Sequence, residues 1–177
     1  MRWIVKGTFA LAFVALASFV VAQQPELPKP GPEHERIKEM VGTWDAVMDM
    51  AGQKTKAAVT YKSICGGMWV ESDFEGDLGG APFQGRGLDG YNQITKKYVG
   101  VWVDSMSSAP LRFEGDYDAK TKLLVMTGES LNPNGNLEKF KSTTETKDKD
   151  HFTFKMFMIQ PDGQEQLAFT IEYMRRK

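Results

Sequence analysis

Residues 83–108 read FQGRGLDGYNQITKKYVGVWVDSMSS, two glycine-rich alternating stretches joined by a short polar turn. Alternation with a period of two, broken by Asn92 to Lys96, is the pattern of an antiparallel hairpin. Outward from this block the same period recurs. Ala57, Val59 and Tyr61 alternate with Ala58, Thr60 and Lys62, and Met68, Val70, Ser72 and Phe74 alternate with Trp69, Glu71, Asp73 and Glu75. Turn signals fall at strand-sized intervals: Gly66-Gly67, Gly79 to Pro82, Asn92 to Lys96, Asp118 to Lys122, Asn132 to Gly135, Lys147 to Asp150 and Pro161-Asp162-Gly163. Two of them echo each other, Tyr91-Asn92-Gln93-Ile94-Thr95-Lys96 and Tyr117-Asp118-Ala119-Lys120-Thr121-Lys122. In both, the Asn or Asp side chain can bond the backbone ahead of it and start the turn.

About nine or ten short strands in consecutive hairpins, with no long helix, predict an all-β fold. A single up-and-down β-barrel is favoured over a sandwich, because closure removes the exposed sheet edges. One face of each strand would line the interior, for example Phe152, Phe154, Met156 and Met158 on one strand and Leu167, Phe169, Ile171 and Tyr173 on the next. Around Trp102 both faces are bulky, which predicts outer cover for that strand as well, by the helix that precedes the sheet. That helix is expected over Glu33 to Val41, where Ile37, Met40 and Val41 share a face and Gly42 follows.

The N-terminus has a different character. Arg2 and Lys6 precede an apolar run from Phe9 to Val21, and Val20-Val21-Ala22 offers small residues for cleavage, so residues 1–22 read as a secretory signal peptide. The run is shorter than the ~20 residues that span a bilayer. The expected mature protein is exported, periplasmic or secreted, and not inserted in a membrane. Residues 23–32 carry Pro25, Pro28, Pro30 and Pro32 and read as a Pro-rich leader; residues 33–177 form one domain. Without Arg2 and Lys6 the acidic residues exceed the basic ones by three, which disfavours nucleic acid as a partner. Cys65 is the sole cysteine, so no intrachain disulfide is possible, and it reads as a small core residue.

Residues that could carry chemistry are few. Gly85-Arg86-Gly87-Leu88-Asp89-Gly90 fits the spacing of a dinucleotide loop, but a strand follows it where that loop requires a helix. Its glycines read instead as kinks or points of close approach. His34 and His151 are the only imidazoles, too few for a multi-histidine metal site. A single axial histidine could hold haem inside a barrel of the nitrobindin-like kind, and His151, entering the Phe-rich strand, is the candidate; a solvent-exposed histidine at a strand start is the simpler reading. His34 is expected to cover the end of the barrel. Asp104, between Trp102 and Met106, is an acid on an apolar face and must be hydrogen-bonded or exposed. Tyr91, Trp102, Asp104, Met106, Phe154 and Met156 are the candidate ligand-binding residues. Lys139 to Asp150 and the acids Glu71, Asp73 and Glu75 read as solvated faces. No nucleophile and base pair stands out, so no catalytic residue, metal site or cofactor is assigned.

Glu33-His34, Gly42-Thr43-Trp44, Gly85-Arg86-Gly87, Gly90-Tyr91, residues 97–106 (KYVGVWVDSM) and Glu172-Tyr173-Met174-Arg175 together resemble a family of exported bacterial proteins, domain of unknown function 1579. The resemblance covers nearly all of the chain after the apolar run and implies a lipocalin-like, calycin-like barrel with no established activity. Gly42, Trp44 and Arg175 also resemble the lipocalin signature, in which an arginine from the last strand packs over a tryptophan of the first. These features lead to an exported barrel that encloses a small apolar or amphipathic molecule. The alternatives are a side-chain-filled barrel acting as a protein-interaction module, and the haem barrel.

Overall fold

The computed structural model describes residues 27–177; the apolar run, the expected signal peptide and the first part of the leader lie outside them. The alternating segments form ten strands: β1 (Gly42–Met50), β2 (Gln53–Ile64), β3 (Trp69–Leu78), β4 (Ala81–Asn92), β5 (Lys97–Asp104), β6 (Leu111–Asp118), β7 (Leu123–Leu131), β8 (Leu137–Asp148), β9 (His151–Ile159) and β10 (Glu165–Arg175). Each pairs antiparallel with the next, and β10 returns to pair with β1 from Trp44↔Arg175 to Asp49↔Thr170. The sheet is a closed up-and-down barrel, so no strand edge is left unpaired.

The echoed turns share one device. Asn92 Oδ1 accepts the amide of Ile94 at 2.9 Å, and Asp118 Oδ1 accepts that of Lys120 at 2.8 Å. Each turn ends on a lysine in the left-handed region, Lys96 at φ 59° and Lys122 at φ 56°. The glycines Gly115 and Gly128 sit where a Cβ would collide with the backbone of the neighbouring strand, at Val125 and Arg112 respectively. Only glycine permits that approach.

The sequence reading and the fold differ at four places, each for a local reason. The helix, α1, runs over Pro32–Lys38 rather than to Val41: Pro32 opens it, and the chain leaves it through a turn at Glu39 and Met40 so that Gly42 can begin β1. It does not cover the outer face of β5, where Val101 and Val103 remain exposed, but lies across one end of the barrel and buries His34 and Ile37. Leu167 faces outward and is 52% exposed, because a bulge between Leu167 and Phe169 resets the alternation of β10. Cys65 is exposed, since it starts the short 3-10 turn Cys65–Gly67 at φ 49° and swings out of the sheet.

Outward positions are charged and cross-linked between strands. Arg86 reaches Asp73 at 3.2 Å, and Lys141 and Lys147 reach Glu165 and Glu172 at 2.8 Å each. Inward positions form the core around Trp44, Val59, Phe74, Phe152, Ile171 and Tyr173.

At the helix end, Arg175 joins the first strand, the last strand and the segment after α1. Its guanidinium lies 4.1 Å from the centre of the Trp44 ring, and it donates to the carbonyls of Val41 (2.7 Å), Glu39 (2.7 Å) and Lys149 (3.0 Å). The indole Nε1 of Trp44, itself 2% exposed, donates to the carbonyl of Met40 at 2.8 Å. Arg175→Ala removes the ring contact and three charge-assisted hydrogen bonds together, and should destabilise the fold by about 2–4 kcal/mol. Arg175→Lys should recover little of that, because an ammonium lacks the planar fork. Equilibrium urea unfolding of the two variants measures both.

Candidate functional site

The barrel is not filled by its own side chains. A cavity of about 550 Å³ runs along its interior. Ile37, Met40 and Arg36 of the helix segment bound it at one end, and Met50, Leu78, Met106 and Leu111 line it at the other. Met106 is 75% exposed and Met50 45%, so the cavity meets solvent at this second rim. Between the ends the wall is aromatic and sulfur-rich, with Phe74, Trp102, Phe113, Met126, Phe154, Met156 and Phe169 facing in.

Small residues on β4 and β5 create much of the space. Phe83, Gly85, Gly87, Asp89 and Tyr91 share the inner face of β4, and Tyr98, Gly100, Trp102 and Asp104 that of β5, as the register pairs Gly87 with Trp102 and Asp89 with Gly100. The Trp102 ring lies against Gly85, where any Cβ would overlap it. A Cβ on Gly100 would come 2.8 Å from Asp89 Oδ1, and one on Gly87 would come 2.5 Å from Ser72 Oγ and 3.8 Å from Asp89 Oδ2. Glycines thus let a tryptophan and a carboxylate lie along the wall instead of closing the bore.

Asp89 is the chemically distinctive residue of this interior. It lines the cavity near its helix end and is half-buried. No described residue donates a hydrogen bond to its carboxyl or forms an ion pair with it. Loss of hydration alone pushes its pKa up to about 7. Beside it on the inner wall, Ser72 of β3 pairs in register with Tyr61 of β2 and with Gly87 of β4. The Tyr61 and Tyr173 hydroxyls interact with each other and with the Asp89 charge, and burial raises both above the ordinary phenol range.

The residues singled out in the sequence distribute as follows. Trp102, Asp104, Met106, Phe154 and Met156 line the cavity. Asp104 is satisfied at the solvent-facing rim, accepting from Trp102 Nε1 and from the Met106 amide, both at 2.8 Å. Tyr91 is not part of the lining; it packs edge-on to Tyr98 (5.1 Å) and to His34 (5.9 Å) beneath the helix. His34 Nδ1 accepts the Gly31 amide at 2.9 Å, and its buried Nε2 has no hydrogen-bond partner. His151 lies outside the barrel, exposed and bonded through Nδ1 to Asp148 at 2.9 Å. The sequence reading assigns the glycines around Asp89 to kinks or close approach and gives Asp89 itself no role; its place on the Phe83-Gly85-Gly87 face is the signal available.

Asp89 makes stability depend on pH with a defined sign. Below about pH 4 the carboxyl is protonated in folded and unfolded chains alike and costs nothing. Between about pH 4 and 7 the unfolded chain ionises while the folded one holds its proton, so the fold loses stability as pH rises, by on the order of 4 kcal/mol. The exposed acids Asp45, Asp118 and Asp148, held below their ordinary range by hydrogen bonds, lose their contribution only below that window. Asp89→Asn should therefore unfold at higher urea than the parent protein at pH 8 and show a flatter profile from pH 4 to 7.

Comparison with curated proteins gave no match. Among solved structures, the crystal structure of Rv2717c from M. tuberculosis superposes with a TM-score of 0.62 at 11% identity, covering 83% of this chain and 99% of that one. The S-type phycobiliprotein lyase CPES from Guillardia theta superposes with a TM-score of 0.54 at 10% identity, covering 82% and 93%. At these identities the likeness is one of barrel fold. The sequence profile of one family matches residues 29–175, and the chain belongs to that family, described as proteins of unknown function (DUF1579).

Proposed function

We propose that this protein is an exported binding protein whose barrel holds one small apolar or amphipathic molecule. The observation that carries the reading is the cavity: about 550 Å³, lined mainly by aromatic and methionine side chains and opening at an exposed methionine rim. Volumes of roughly 300–1,000 Å³ with apolar walls and a few convergent polar groups are those of small-molecule sites. Polarizable Met side chains adapt to irregular ligands. The filled-barrel alternative lacks its premise, since the interior is hollow. The haem alternative needs an imidazole in the cavity, and neither His151 nor His34 lines it. Export rests on the basic and apolar N-terminal sequence.

Protein exported through its own N-terminal segment and kept from denaturant should carry one small molecule per chain in native mass spectrometry, lost on unfolding, and should begin at Gln23. The emptied protein should take up Nile red saturably at one per chain. Thr144→Phe, which places a ring in the cavity, should weaken that uptake by about tenfold or more. Protein that carries no mass and takes up no dye would overturn the reading.

A further inference from the structure

We infer that the ligand is an amphiphile with a protonated amine head, seated head-first so that the amine meets Asp89 and the apolar tail runs toward the Met50 and Met106 rim. This rests on the ligand-binding reading above and specifies it. The carboxyl lies deep, near the helix end, while the apolar residues Met50, Leu78, Met106 and Leu111 mark the far mouth. Polarity therefore runs along the bore, with a polar end inside and an apolar end outside.

The groups around Asp89 decide which head fits. Val70 and Ser72 flank it from β3, Gly100 and Trp102 from β5, Tyr61 from β2 and Tyr173 from β10. None of these is a cation. None of the cations that line the cavity pairs with Asp89: Arg36 stacks on Tyr117 at 3.8 Å, Arg175 stacks on Trp44, and Lys149 is exposed in the β8–β9 turn. The carboxyl thus has acceptor capacity with no donor, among hydroxyls that can accept as well as donate. An ammonium brings three donors and no acceptor, enough for Asp89 and for hydroxyl oxygens such as Ser72 Oγ and those of the tyrosines. The aromatic wall favours a cation over a neutral head. Above about pH 7, where Asp89 ionises, a carboxylate head would set two like charges together, which disfavours anionic amphiphiles there.

Burial keeps the empty site protonated up to about pH 7. An amine that binds as a cation must then displace that proton at lower pH. The amine keeps its own charge throughout, so the proton released comes from Asp89 and goes to buffer.

The test is calorimetric titration of the full mature protein, emptied of any copurifying molecule, with decylamine, 1-decanol and decanoate below their aggregation limits. At pH 8 decylamine should bind at least about tenfold more tightly than decanol, with decanoate weakest. In Asp89→Asn the amine and the alcohol should converge. At pH 6, titrations in buffers of different ionisation enthalpy should show close to one proton released per decylamine, and at pH 8 far fewer. Equal affinity for amine and alcohol in the parent protein, or an amine preference that survives in Asp89→Asn, overturns the amine assignment and leaves the apolar-binding reading standing. Failure of all three ligands together with failure of Nile red uptake overturns both.

Discussion

Closure of the sheet through the β1–β10 pair is the constraint on which the rest of this molecule depends, and Arg175 is placed at its end. A barrel wall without that pairing would expose two strand edges and leave the interior without a boundary. Arg175 meets the problem from the last strand: its fork takes carbonyls of Glu39 and Val41, between helix and first strand, and of Lys149, in the turn before β9. The same guanidinium covers the Trp44 ring, whose indole N–H is occupied by Met40. One side chain therefore fixes the seam, the approach of the helix and the floor of the barrel. Gly42, at φ 133°, lies so close beneath the guanidinium that a Cβ there would come 2.6 Å from its Nη1.

With the wall closed, the content of the bore is set by side-chain volume at inward positions. The strands that carry Asp89 and Trp102 contribute glycine where an ordinary residue would fill the space, and the aromatic and Met residues of β7 to β10 face them across it. A well-packed interior leaves few voids larger than a water molecule. A cavity of about 550 Å³ departs far from that. Lining side chains that lack partners forfeit dispersion contacts, so an empty bore lowers stability relative to a packed one. A ligand that occupied the space would restore those contacts.

The architecture was legible because it depends on period and punctuation. Alternation from Ala57 to Glu75 and from Phe83 to Asp104, cut by turns whose Asn or Asp bonds its own backbone, identifies strands and hairpins without tertiary information. Alternation fails where the backbone departs from it. The bulge before Phe169 turned Leu167 outward, and the left-handed residue at Cys65 carried that side chain out of the sheet. The bulge leaves no mark in residue type, whereas Cys65 directly precedes the Gly66-Gly67 turn. The cavity was less legible still, since hollow and filled barrels share one pattern and differ only in summed volume. The glycines around Asp89 read as points of close approach, and they do seat Trp102 and the carboxyl, but nothing in residue type alone shows that the carboxyl lacks a partner.

An acid in that position is hard to explain by folding. A neutral side chain of similar size, such as Asn or Leu, would spare the folded state the cost of desolvating a carboxylate, a cost that appears wherever the surroundings approach neutrality or above. Buried charges in folded proteins are ordinarily paired, and the arginines that line the same cavity, Arg36 and Arg175, are committed to Tyr117 and to the seam. Tyr61 and Tyr173 interact with the charge without neutralising it. The pairing that would offset the desolvation is thus absent from the chain's described residues, and a cationic head in the bore would supply it. A strained or costly group at the wall of a hollow, solvent-connected interior is where sequence rules for stability yield to those for binding.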